Sequence, residues 1–97
     1  MSTVTVRIPT PLRSFTRGAS EVPVNASTVG QALEALGREH DGILERILDG
    51  EGRVRGFVNI FVGEKNIKSL EGLESPVEPE AVISIVPAVA GGRGGVS

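Results

Sequence analysis

Cysteine is absent from the 97-residue sequence, as are tryptophan and tyrosine, and histidine occurs once. Without cysteine there is no disulfide framework, thiol nucleophile, protein-bound persulfide or thiolate metal site. A lone His40 rules out a metal site built on two histidines. No Ser/His/Asp set is evident from spacing, and neither a Walker-type nor a dinucleotide-binding glycine motif is present. A self-contained enzyme is therefore not expected. No apolar run approaches the roughly 20 residues that a membrane helix needs. Met1-Ser2-Thr3-Val4 lacks the charged-then-apolar order of a signal peptide. The formal net charge of −2 leaves no basic surplus for general nucleic-acid binding. These features point to a cytoplasmic protein that binds neither membrane nor nucleic acid.

The length suits one domain, with a hydrophobic content of 39% for a modest core. Thr3-Val4-Thr5-Val6-Arg7-Ile8 alternates strictly, placing Val4, Val6 and Ile8 on one face of a half-buried strand. Pro9 and Pro11 break the ladder, and Leu12 and Phe15 fall in the next connection. Glu21-Val22-Pro23-Val24 resumes an extended segment, which Pro23 assigns to a sheet edge. Thr28 with Gln31 three residues later forms a capping-box signal. Val29, Ala32, Leu33 and Leu36 then recur at helical spacing, predicting a helix over residues 28–40 that Gly42 closes. Ile43, Leu44, Ile47 and Leu48 predict one further short helical turn.

Phe57-Val58-Asn59-Ile60-Phe61-Val62 reads as a strand with apolar residues on both faces, hence covered on both. Gly63-Glu64-Lys65-Asn66 reads as a turn before a short return segment at Ile67, and Leu70 with Leu73 as one 3₁₀ turn. Ala81 to Val86 is rich in β-branched residues and forms the last strand, ending at Pro87. Val4, Val6, Val24, Leu33, Leu36, Phe57 and Ile85 are the expected core. Beyond Pro87 the sequence changes character. Ala88 and Ala90 are small, and Gly91 and Gly92 have no Cβ. A rigid strand thus holds out a slender tail, suited to a channel too narrow for a bulkier chain.

Strand, strand, helix, strand, short strand, strand, then a small-residue tail: this order resembles the ubiquitin-like β-grasp sulfur carriers of the MoaD/ThiS family. The resemblance covers residues 3–92. It rests on Val4-Thr5-Val6-Arg7-Ile8-Pro9, Thr28-Val29-Gly30-Gln31-Ala32-Leu33, the Phe57 to Val62 strand and Pro87-Ala88-Val89-Ala90-Gly91-Gly92. The last two tilt it toward the carriers of cysteine biosynthesis. It implies an α+β fold: a mixed four- to five-stranded sheet with one main helix packed across one face. It divides the chain into a domain over 1–90 and a Gly-rich tail over 91–97.

The resemblance also implies a function. The glycine carboxylate of such carriers is adenylated by an E1-like partner that consumes ATP, and sulfur then displaces AMP to leave a thiocarboxylate. The carrier is a co-substrate, not an enzyme, and binds no cofactor of its own. Gly92 is then the acyl-bearing residue, with Gly91 and Ala90 leading to it. Leu12, Phe15 and Phe61 are candidate contacts for the activating protein. A PLP-dependent, cysteine-synthase-type enzyme is the implied sulfur acceptor. The alternatives within the superfamily are the molybdopterin-synthase small subunit and a modifier joined to lysines.

One departure matters. Arg93-Gly94-Gly95-Val96-Ser97 follows Gly92, whose carbonyl is therefore a peptide carbonyl. A processing metallopeptidase must cut after Gly92 or, alternatively, after Gly95. The approach through Ala88-Val89-Ala90 favours Gly92.

Overall fold

Alternation governs the first strand. In the computed structural model, which describes residues 2–87, β1 runs Ser2–Arg7 with Val4 and Val6 fully buried and Thr3 and Arg7 exposed. A 3₁₀ helix, Thr10–Thr16, comes after Pro9 and ends at Arg17, whose φ of 58° turns the chain back. β2, Glu21–Ala26, pairs antiparallel with β1 and sets Thr5 opposite Pro23. Pro23 lies on an edge strand, where its missing N–H leaves no ladder bond unmade.

Thr28 caps helix α1, Val29–Glu39, by accepting from the Gln31 N–H at 3.1 Å. The Gln31 side chain reaches back one residue further than the capping box predicts and accepts from Ser27 N–H at 2.8 Å. Val29, Ala32, Leu33 and Leu36 are buried, as the spacing predicts. Gly42, at φ +91°, makes the turn after the helix. Helix α2 is a single turn, Leu44–Ile47. Gly37 lets it come close: a Cβ there would lie 2.5 Å from Leu44 Cδ1.

β3, Val58–Val62, and β4, Lys65–Asn66, form a tight hairpin in which Val62 pairs with Lys65. The return strand therefore begins two residues before Ile67, at the tip where Gly63 takes φ +62°. Leu70 and Leu73 belong to separate places: Leu70 ends the 3₁₀ turn Ile67–Ser69, and Leu73 lies in a second, Gly72–Glu74. β5, Val82–Pro87, enters the middle of the sheet, parallel to β1 and antiparallel to β3. The sheet order is β2-β1-β5-β3-β4. This is the expected α+β arrangement at five strands.

α1 covers one face of the sheet. Val4, Val6, Val24, Leu33, Leu36 and Ile85 are in the core, as expected. Phe57 is not: it is 53% exposed. The expectation that its strand is covered on both faces fails for the same reason. Val58 and Ile60 point into the core, while Asn59 and Phe61 lie on a face that no element covers among the described residues. The expected boundary at residue 90 lies outside the described residues.

Candidate functional site

The geometry of the site is set by where β5 ends. Pro87 pairs with Val58, the first residue of β3, so β5 delivers the chain to one rim of the sheet. Two clefts meet there and share Pro87. One is lined by Arg7, Pro9, Thr10, Arg13 and Glu21, the other by Leu12, Glu45, Arg46, Arg55 and Phe57. Gly92, Gly91, Ala90 and the alternative terminus Gly95 lie outside the described residues.

Of the expected partner contacts, Leu12 and Phe15 sit on the 3₁₀ helix, half-buried and packed against the core. Phe15 also lies beneath the Arg46 guanidinium, 5.7 Å from its ring centre, and beside Gly42, where a Cβ would come within 3.3 Å of the ring. Phe15 is thus a strut between the 3₁₀ helix and the start of α2. Phe61 differs. It is half-buried on the open face, opposite Ser84 on β5 and Asn66 on β4. The structure brings Leu12 to the rim where β5 ends and Phe61 to the open face, rather than gathering all three into one patch.

The open face carries apolar residues that sequence reasoning did not assign to it. Val82 and Val86 alternate with Ser84 along β5 and are exposed, and Phe57 stands exposed at the entry to β3. Alternation within β5 was the signal available for the valines. For Phe57 there was none, because aromatic and aliphatic residues fill both parities of its strand. An exposed apolar set beside a strand end is a common form of interaction surface.

Polar chemistry on the domain is sparse. Among the described residues, no group of three or more His, Cys, Asp or Glu side chains is placed to hold a metal ion. His40 caps the end of α1 through its backbone N–H to Leu36 O. The Asp49 carboxyl is held below its usual range. Its carboxylate accepts from the backbone N–H groups of Arg53, then Glu51, and both hold its pKa down. It organises the exposed loop before β3 rather than a reaction centre.

The ThiS family profile matches residues 6–92. The chain belongs to this family, the ubiquitin-like β-grasp sulfur carriers. It is 37% identical over 91 residues to the sulfur carrier protein CysO of Mycobacterium tuberculosis, an overlap of 92% of this chain and 98% of the relative. It superposes with a TM-score of 0.86 on a chain of the Amycolatopsis orientalis BexX/CysO complex, at 36% identity, covering 92% of this chain and 99% of that one. It is similar as well to the small archaeal modifier protein 1 of Methanosarcina acetivorans, with a TM-score of 0.81 and 30% identity over 95% of this chain and 98% of that one. ThiS-family sulfur carriers are small carrier proteins rather than enzymes. No helix among the described residues is long and apolar enough to cross a membrane.

Proposed function

We propose that this protein carries sulfur as a thiocarboxylate on Gly92, in the cytoplasm, for cysteine biosynthesis. The observation that carries the reading is the position of Pro87. A rigid central strand ends at the rim of the sheet, five residues before the second glycine of Gly91-Gly92, in a chain without cysteine. Fully extended, those five residues reach about 17 Å, enough to place the glycine inside a partner while the domain stays outside.

The chemistry rests on the carboxyl group. A carboxylate is a poor electrophile until it bears a leaving group. A metallopeptidase first frees the Gly92 carboxylate by removing Arg93-Gly94-Gly95-Val96-Ser97. The carboxylate oxygen then attacks the α-phosphorus of ATP on an E1-like partner, and pyrophosphate leaves. A sulfide-level nucleophile attacks the resulting acyl-adenylate, AMP departs, and the thiocarboxylate remains. Glycine at the acyl position leaves the carbonyl open to attack. The thiocarboxylate then passes its sulfur to an activated serine derivative on a PLP-dependent enzyme, and a peptidase frees the product. Similarity to cysteine-type carriers supports that last step over molybdopterin synthesis.

Similarity to a small archaeal modifier protein supports a second reading, in which the activated glycine is joined to lysines of other proteins. The two share their chemistry up to the adenylate. Isopeptide-linked adducts recovered from cells mark the modifier.

The test compares chains ending at Gly92, Gly95 and Ser97, each given the purified activating enzyme, ATP and a sulfur donor. The Gly92 form is expected to gain about 16 Da, sulfur for oxygen, through acyl activation and displacement. Gain by the Gly95 form alone moves the acyl site to that residue. No gain by any form refutes the carrier reading.

A further inference from the structure

The two ends of the sheet differ in net charge. Glu64, Glu71, Glu74, Glu78 and Glu80 fall on the β3–β4 tip and the connection leading into β5, where Lys65 and Lys68 offset only part of their charge. At the opposite rim, where β5 ends, the two clefts beside Pro87 hold Arg7, Arg13, Arg46 and Arg55 against Glu21 and Glu45.

Three of these arginines are fixed in place. Arg13 Nε donates to Ile8 O at 3.0 Å, and Arg55 Nε donates to Glu45 O at 2.9 Å. Arg46 lies over the Phe15 ring. Among the described residues none of the three has a carboxylate within ion-pair distance, and their terminal Nη groups make no hydrogen bond. Arg7 has only a loose, exposed pair with Glu21 at 3.8 Å, a kind worth little in water. A guanidinium held by Nε presents its two terminal nitrogens as a fork that matches a carboxylate.

We propose that Arg13, Arg46 and Arg55, assisted by Arg7, form a basic collar that docks on carboxylate side chains rimming the channel of the activating protein. This rests on the carrier reading above and names what that partner presents. The ligand is carboxylate rather than nucleotide phosphate, because the five residues after Pro87 are long enough, at about 17 Å when fully extended, to take the reacting glycine well past the collar. The arginines therefore meet the mouth of the channel and not the ATP. Nucleic acid does not fit, since the chain is net negative and its far end would repel a polyanion.

Pre-fixed side chains lower the entropic cost of docking. The acidic far end orients the approach, so that the tail end leads. Exposed Phe57, in one of the same clefts, supplies an apolar anchor inside the charged ring.

The test uses the chain ending at Gly92 and the purified activating enzyme, with ATP–pyrophosphate exchange as the readout. Arg13→Gln, Arg46→Gln and Arg55→Gln combined are expected to raise KM for the carrier at least tenfold with kcat little changed. The fall of kcat/KM with added salt should be steep for the unsubstituted chain and shallow for the triple variant. Circular dichroism checks that the triple variant is folded, and the salt series on the unsubstituted chain needs no substitution at all. A salt-insensitive kcat/KM for the unsubstituted chain, or an unchanged KM for the folded triple variant, overturns the collar while leaving the carrier reading intact. No exchange with the unsubstituted chain at any concentration refutes the carrier reading and this inference with it.

Discussion

Ile60 and Phe61 are neighbours on β3 with opposite roles, and replacing each by aspartate separates docking from folding. Ile60 is 1% exposed. Truncating such a residue to alanine costs about 2–5 kcal/mol, and an unpaired buried carboxylate adds to that. A domain of this size is stable by about 5–15 kcal/mol in total. Ile60→Asp should therefore leave the domain largely unfolded. Phe61 faces outward and contributes cross-strand contacts to Ser84 and Asn66. Losing those contacts and its strand preference costs about 1–2 kcal/mol, a fall in Tm of roughly 5–15 °C. Phe61→Asp should fold.

On binding, truncation of an aromatic anchor typically costs about 2 kcal/mol, roughly thirtyfold in affinity. Thermal melts by circular dichroism and adenylation kinetics on chains ending at Gly92 measure the two quantities. If Phe61→Asp unfolds as Ile60→Asp does, Phe61 is structural. If it folds and is activated with an unchanged KM, the open face is not where the activating protein sits.

Thr28→Ala removes the oxygen that accepts from Gln31 N–H, and urea melts should show a loss of about 1 kcal/mol. Gly37→Ala should destabilise in the same assay despite alanine's higher helix propensity, because the new Cβ meets Leu44; a gain in stability would show that α2 shifts freely. Asp49 has a lowered pKa in the folded state, so its contribution to stability is present above the unfolded carboxyl value and is lost as pH falls through the folded one. Asp49→Asn should accordingly flatten the acid limb of stability below about pH 4, measured as urea midpoints across that range.

Much of this fold was legible because its signals are local. Period-2 alternation located β1, β-branched composition located β5, Pro23 marked the edge, and Thr28 with Gln31 marked the start of α1. What was not legible depends on distant parts of the chain. Phe57 looked like core because its strand is apolar on both parities, and only the missing cover on the open face exposes it. The 3₁₀ helix after Pro9 has too few turns to show a period. Arg13 and Arg55 are far apart in sequence and reach the two clefts beside Pro87 only through the fold, so no linear pattern announced them. The tail is the reverse: its small residues, and their resemblance to sulfur-carrier tails, carry an expectation of its role, while its residues lie beyond those the structure describes.

The central claim, that Gly92 is freed and then loaded with sulfur, is tested most directly by the intact mass of this protein isolated from its native cells. The account predicts a chain ending at Gly92, with a fraction heavier by about 16 Da from the exchange of sulfur for oxygen at the acyl carbon. A population in which Gly92 is always followed by Arg93, with no heavier fraction under any growth condition, would contradict it.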